Sequence, residues 1–201
     1  MSSVDGSLQP SVWRMPACFA VAIALVVLDL WSKTTVFAFL ETADLQVTGH
    51  GYHRYPLAGE WLALMENLNY GAAFGQGSSF PWLLVPLRAV ALIVVSVLII
   101  RAPRGQCAYL SALVLILSGA AGNLYDNLFN GELFVEGHPP FGPVRDFIDV
   151  YFGVWDWHFP TFNVADSCIT VGAVLLVLSG MGEKKQEDVP RESDDEETAP
   201  A

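Results

Sequence analysis

The sequence predicts an all-α polytopic membrane protein: four transmembrane helices, with a small extracytoplasmic β-rich cradle between the first and second. Three observations predict it. Of the 201 residues, 53% are hydrophobic and only 15% charged, and the mean hydropathy is +0.41. So apolar a chain lacks the polar surface of an ordinary water-soluble domain. Four stretches reach the length of roughly 20 mainly apolar residues that a helix needs to cross hydrocarbon. Finally, Lys and Arg fall unevenly between the connecting segments, as they do when a membrane sets the topology.

The first span, about 16–40, follows Arg14. Its apolar run, about 25 residues, exceeds a signal-peptide h-region, and it is expected to persist as the first helix. The others are about 81–101, 107–129 and 161–181, the third broken near its far end by "GNLYDN". One side of the membrane receives Arg14, Arg101, Arg104, Lys184, Lys185 and Arg191, and the other only Arg54 and Arg145. That bias sets both termini in the cytoplasm and turns the connections 41–80 and 130–160 outward. "LQVTGHGYHRYPL" and "EWLALMENLNYGAAF" in the first connection carry β-branched and aromatic residues broken by Gly and Pro. They predict short strands at the membrane surface. Trp82, Trp155 and Trp157 fall where amphipathic rings anchor at an interface.

Residues 1–15 form a cytoplasmic N-terminus, 16–181 the membrane domain, and 182–201 an acidic tail holding eight of the 21 acidic residues. With so few apolar residues the tail cannot bury a core and is expected to be a disordered, solvated segment. The formal net charge of −11 is therefore no sign of a basic partner, and nothing points to nucleic acid. Cys18, Cys107 and Cys168 lie far apart in or beside apolar runs, and read as small buried hydrophobes. His50, His53, His138 and His158 lack metal-ligand spacing and read as surface groups. No metal or cofactor is expected.

The polar residues at membrane depth gather at the outer helix ends. Asp29 and Lys33 are four apart in the first span, spaced to pair. Asn123 and Asp126 share a face at the end of the third, and Asn163 and Asp166 a face at the start of the fourth. Between them "GPVRDFIDVYF" brings Asp146 and Asp149, alternating acid with apolar residues along the membrane surface. Charge inside a bilayer is costly, and paired charges are the usual structural solution there. If the chain folds back, Asp146 and Asp166 meet. Two carboxylates in contact do not both ionise readily, so such a pair holds one proton. The ionised member then takes a proton from water while the other donates one to a carbonyl oxygen.

These residues carry a resemblance. "DLWSK" (29–33), "NYGAAF" (69–74), "GNLYD" (122–126), "VRDFIDV" (144–150) and "FNVAD" (162–166) stand in the order of the motifs of bacterial lipoprotein signal peptidase, or signal peptidase II. The chain resembles that family over about 17–180. The resemblance implies an aspartic endopeptidase of the bacterial inner membrane. Such an enzyme removes the signal peptide of a prolipoprotein by cutting just before a diacylglyceryl-modified cysteine. It implies Asp146 and Asp166 as the catalytic pair. Asn69, Gly71, Asn123, Asp126, Asn163, Asp29, Lys33 and Arg145 would bind substrate or support the site. Prolipoproteins and membrane lipids would be the partners of a monomer.

Two departures stand out. Asn127 occupies a position where the family pattern has Arg, leaving Arg145 as the expected substitute cation. The segment "NGELFVEGHPPFGP" is also longer than the pattern. A divergent relative that holds lipidated peptides without cutting them is the competing expectation. A transporter is disfavoured, because the inner halves of the spans are apolar and Arg88 lies in the outer part of the second.

Overall fold

The computed structural model describes residues 14–49, 51–71, 81–103, 105–130 and 141–187. The order is α1 (Arg14–Leu40), β1 (Gln46–Val47), β2 (His53–Ala58), β3 (Leu62–Asn69), α2 (Pro81–Arg101), α3 (Cys107–Phe129), β4 (Val144–Phe152), β5 (Trp157–Phe162) and α4 (Val164–Glu187). Residues 72–80, most of the 130–143 insertion and the tail beyond 187 lie outside the described residues.

Three helical stretches, Met15–Leu40, Trp82–Arg101 and Cys107–Phe129, are long and apolar enough to cross a membrane. The expected fourth is shorter. The apolar part of α4 is Val164–Gly180, roughly 25 Å at 1.5 Å per residue, because Thr161 and Phe162 belong to β5 instead. At its other end α4 continues to Glu187, past the expected boundary at 181. Large apolar side chains such as Val21, Ile23, Trp31, Leu87, Ile93 and Val177 stand exposed on the helices. Such a surface suits lipid and not water. Cys168 is buried as expected, whereas Cys107, opening α3, is exposed.

α3 is the central helix and packs on α1, α2 and α4. The core cluster holds Ala22, Ile99, Leu113, Val114 and Leu117. Small residues let α3 and α4 approach closely, as membrane helices do where apolar burial gives no driving force. A Cβ on Gly119 would collide with the carbonyl oxygen of Ala165 and lie 2.7 Å from Ile169 Cγ1.

The sheet corrects the expected cradle. It is one antiparallel, five-stranded sheet in the order β1-β2-β3-β4-β5. The connection between α1 and α2 supplies three strands, and that between α3 and α4 supplies two. "VRDFIDVYF" is therefore an interior strand and not a surface-hugging strip, since it pairs with β3 along one edge and β5 along the other. Both connections leave the same end of the helix bundle, so every strand lies there. Trp82, Trp155 and Trp157 are exposed.

Gly119→Ala is expected to lower stability by about 1–3 kcal/mol, the usual cost of overpacking. Thermal unfolding in detergent checks this. An unchanged midpoint means that α3 and α4 are not in backbone contact at Gly119.

Candidate active site

Lys33 is completely buried in the C-terminal half of α1. A buried ammonium needs anions and hydrogen-bond acceptors around all its protons. Asp29 Oδ2, one turn back, lies 2.7 Å from Nζ, and Asp126 Oδ2 of α3 lies 3.2 Å away. Nζ also donates to Asn123 Oδ1 at 3.0 Å. Asp29 Oδ1 accepts the Ala165 N–H of α4 at 2.8 Å. Gly122 leaves room for this carboxylate, since a Cβ there would lie 2.5 Å from Asp29 Oδ2. Arg145 closes the cluster on Asp126, donating its backbone N–H at 3.0 Å and a guanidinium N–H at 2.9 Å.

Asn163 and Asp166 are the N-cap and third residue of α4. Each accepts the other's backbone N–H, Asn163 Oδ1 at 2.8 Å and Asp166 Oδ2 at 3.2 Å. This is a capping box built from amide and carboxylate. The Asn163 amide nitrogen donates to Asp146 Oδ1 at 2.7 Å. One side chain thus joins the helix end to the strand that carries Asp146. Asn69 donates to Asp146 Oδ2 at 3.0 Å and Asn123 to Asp166 Oδ1 at 2.8 Å. Asn69 reaches Asp146 because Asn67 pairs with Asp146 across β3 and β4, and the residue two further along shares that face.

Asp146 is fully buried and Asp166 half-buried. Both line a cavity of about 580 Å3 whose walls include Phe159, Phe162, Ile169 and Val171. Burial pushes the Asp146 carboxyl up to about 7, and the neighbouring Asp166 charge adds to the rise. Hydrogen bonds from Asn69 and Asn163 and the charge of Lys33 oppose it.

Asp149 lies elsewhere. Three residues along a strand reverses the face, and Asp149 instead meets Arg54 Nε at 2.5 Å and His158 Nδ1 at 2.8 Å. His158, expected at the surface or interface, is half-buried and faces the buried Asp149. Among the described residues, no three His, Cys, Asp or Glu side chains form a group able to hold a metal.

A family model described as signal peptidase (SPase) II matches residues 21–181. The chain belongs to the signal peptidase II family. It is 36% identical to the lipoprotein signal peptidase of Klebsiella aerogenes, covering 80% of this chain and 86% of that one. It is 30% identical to the lipoprotein signal peptidase of Halalkalibacterium halodurans, covering 84% and 94%. A bacterial membrane enzyme solved by the in meso method at 2.3 Å shares the fold, with a TM-score of 0.68, 21% identity and coverage of 93% of this chain and 99% of that one.

In this signal peptidase II chain, residues from all five motifs converge. Asp29 and Lys33 brace α1 against α3 and α4, and Asn69 reaches Asp146. Gly71 is buried, its N–H donated to Asn69 Oδ1 at 2.8 Å. Asp126 is held by Lys33 and Arg145 and is not a lining residue of the cavity. Arg145 serves Asp126 and Thr34, and the cation that meets Asn127 Oδ1 is Arg88. Its signal in the sequence was a lone charge inside an apolar span. Asn67, which donates to Thr161 Oγ1 at 2.6 Å, also went unread.

Lys33→Met leaves Asp29 without its cation and is expected to cost about 3–5 kcal/mol, as for other broken buried pairs. Thermal unfolding in detergent reads this. A wild-type midpoint argues that Asp29 is neutral and the buried pair is not ionic.

Proposed function

We propose that this chain is an aspartic endopeptidase of the bacterial cytoplasmic membrane. It removes signal peptides from diacylglyceryl-modified prolipoproteins, cutting just before the lipidated cysteine, with Asp146 and Asp166 as the catalytic pair. The observation that carries the reading is the convergence of these two carboxylates on Asn163 at the edge of one largely apolar cavity.

The reading completes the four-helix topology with α4 as the shortest span. The basic residues of the "APRGQ" loop and the two termini keep that side cytoplasmic. Sheet, cavity and pair then face the outer leaflet, at the depth where a lipid-anchored cysteine meets its signal peptide. Asp166 receives N–H donors on both oxygens at the positive end of α4, an arrangement that serves an anion. Asp146, buried and raised to about 7, serves as the proton holder. In this mechanism Asp166 takes a proton from water, the water oxygen attacks the peptide carbonyl, and Asp146 protonates the developing oxyanion. Asp166 then passes the proton it took to the leaving amine as the carbon–nitrogen bond breaks, and Asp146 recovers its proton from the gem-diol hydroxyl as the carbonyl re-forms. Asn69, Gly71, Asn123 and Asn163 align substrate and pair, while Ile169 and Val171 give the acyl chains an apolar wall.

Purified protein is to be given a diacylglyceryl-modified prolipoprotein and its unmodified form, read by gel shift. Only the modified form is expected to be cut. Asp146→Asn and Asp166→Asn should fold but lose about 10²–10⁴ in rate, the usual worth of an acid–base group. Asp126→Asn should act through stability. Wild type that binds the lipopeptide and cuts nothing refutes the catalytic reading in favour of a binding protein.

The same assay across pH checks the proton assignment. As pH rises through about 7 Asp146 loses its proton, the donor disappears and the rate falls. The limbs of the bell belong to the coupled pair. A rate still rising well above that pH contradicts Asp146 as the proton donor.

A further inference from the structure

Arg88 is half-buried in α2, seven residues past its first residue Pro81. Such a charge inside an apolar helix is expensive and marks a function by default. Its guanidinium donates to Gly71 O at 3.1 Å and to Asn127 Oδ1. Asn127 is itself anchored, its Nδ2 donating to Gly142 O at 2.8 Å. Both hydrogen-bond acceptors of Arg88 among the described residues are thus neutral. The negative charges that act on it are those of Asp166 and Asp146, and it lines their cavity.

We infer that Arg88 is a positioning residue of the carboxylate pair: through Gly71 it fixes the Asn69 amide on Asp146, and its charge balances the pair's single negative charge. The inference rests on the catalytic reading of Asp146 and Asp166. The linkage is continuous: Arg88 to Gly71 O, Gly71 N–H to Asn69 Oδ1, and Asn69 Nδ2 to Asp146 Oδ2. Asn69 has one carbonyl and one amino group at the end of its side chain. A Gly71 N–H held against the carbonyl turns the amino group toward Asp146.

The charge count supports the second half. Lys33 of α1 and Arg145 of β4 are matched by Asp29 of α1 and Asp126 of α3. What remains is Arg88 of α2 against the pair on β4 and α4. Glu66 of β3 is exposed and on the strand face opposite Asn67 and Asn69. The titratable group of β5, His158, faces Asp149. With one proton on the pair the site is neutral, so Arg88 favours the singly ionised state that the reaction needs.

Arg88→Gln and Arg88→Lys are to be assayed on the lipidated prolipoprotein from about pH 5 to 9 beside wild type and Asp146→Asn, with thermal unfolding as the control for folding. Arg88→Gln removes the charge. It is expected to lower kcat about tenfold or more with little change in KM, and to move both limbs of the pH profile upward by about one unit. Arg88→Lys keeps the charge without the planar fork. Its limbs should stay in place while kcat falls by a smaller factor.

A purely structural role would lower kcat equally at every pH and leave the limbs unmoved. Folded Arg88→Gln with a wild-type profile therefore overturns the inference. Should Arg88→Gln fail to fold, Arg88→Lys decides: wild-type kcat or displaced limbs overturn it. If wild type does not cut, or Asp146→Asn cuts as well, the catalytic reading fails and takes this inference with it. A working pair with an unshifted Arg88→Gln profile removes this inference alone.

Discussion

Lys33 places a full positive charge where water does not reach, and that charge has to be answered from within the protein. An isolated ammonium in a low-dielectric interior is prohibitively costly. Three elements converge to meet it: Asp29 from its own helix, Asp126 and Asn123 from α3, and, through the other oxygen of Asp29, the first turn of α4. The glycines that bring α3 against its neighbours, Gly119 and Gly122, lie at this same level. Helix packing and charge neutralisation are thus one requirement, since a Cβ at Gly122 would enter the space of the carboxylate that Lys33 needs.

From this cluster the order passes outward through asparagines. Asn123 accepts a hydrogen bond from Lys33 on its oxygen and donates one to Asp166 from its nitrogen. Asn163 caps α4 with its oxygen and donates to Asp146 with its nitrogen. An amide has a donor and an acceptor on one rigid plane, so it transmits orientation between charged groups without adding a charge. That property suits a site in which the number of protons on two carboxylates matters. A Lys or Asp in either place would upset the charge balance.

The sheet and the apolar cavity complete the environment. β4 enters the helix end with Asp146 on the cavity side and Asp149 on the other, and the Asp149–Arg54–His158 group fixes the strand from behind. The pair therefore sits where the sheet meets the helix ends, at the edge of a largely apolar cavity. In the proposed function this setting lets one face of the site receive acyl chains and the other receive a peptide and a water molecule.

Hydropathy and charge bias made the apolar helices legible, because lipid imposes length and composition on any segment that crosses it. Spacing made the Asp29–Lys33 pair legible, because it is local to one helix turn, and it set Asn163 beside Asp166 without showing that Asn163 caps α4. The signal peptidase II family was legible from five ordered motifs. Distance in sequence hid the rest. That β4 and β5 join the strands of the first connection in one sheet, that Arg145 turns to Asp126, and that Arg88 arrives from α2 to meet Asn127 each depend on partners far along the chain. The fourth helix also begins later than its apolar run suggests, since pairing with β4 claims Thr161 and Phe162 for the sheet. The sequence by itself determined which residues carry charge into an apolar chain. Only the tertiary structure decided which charge answers which, because neutralising buried charges is a property of the packed site and not of any one segment.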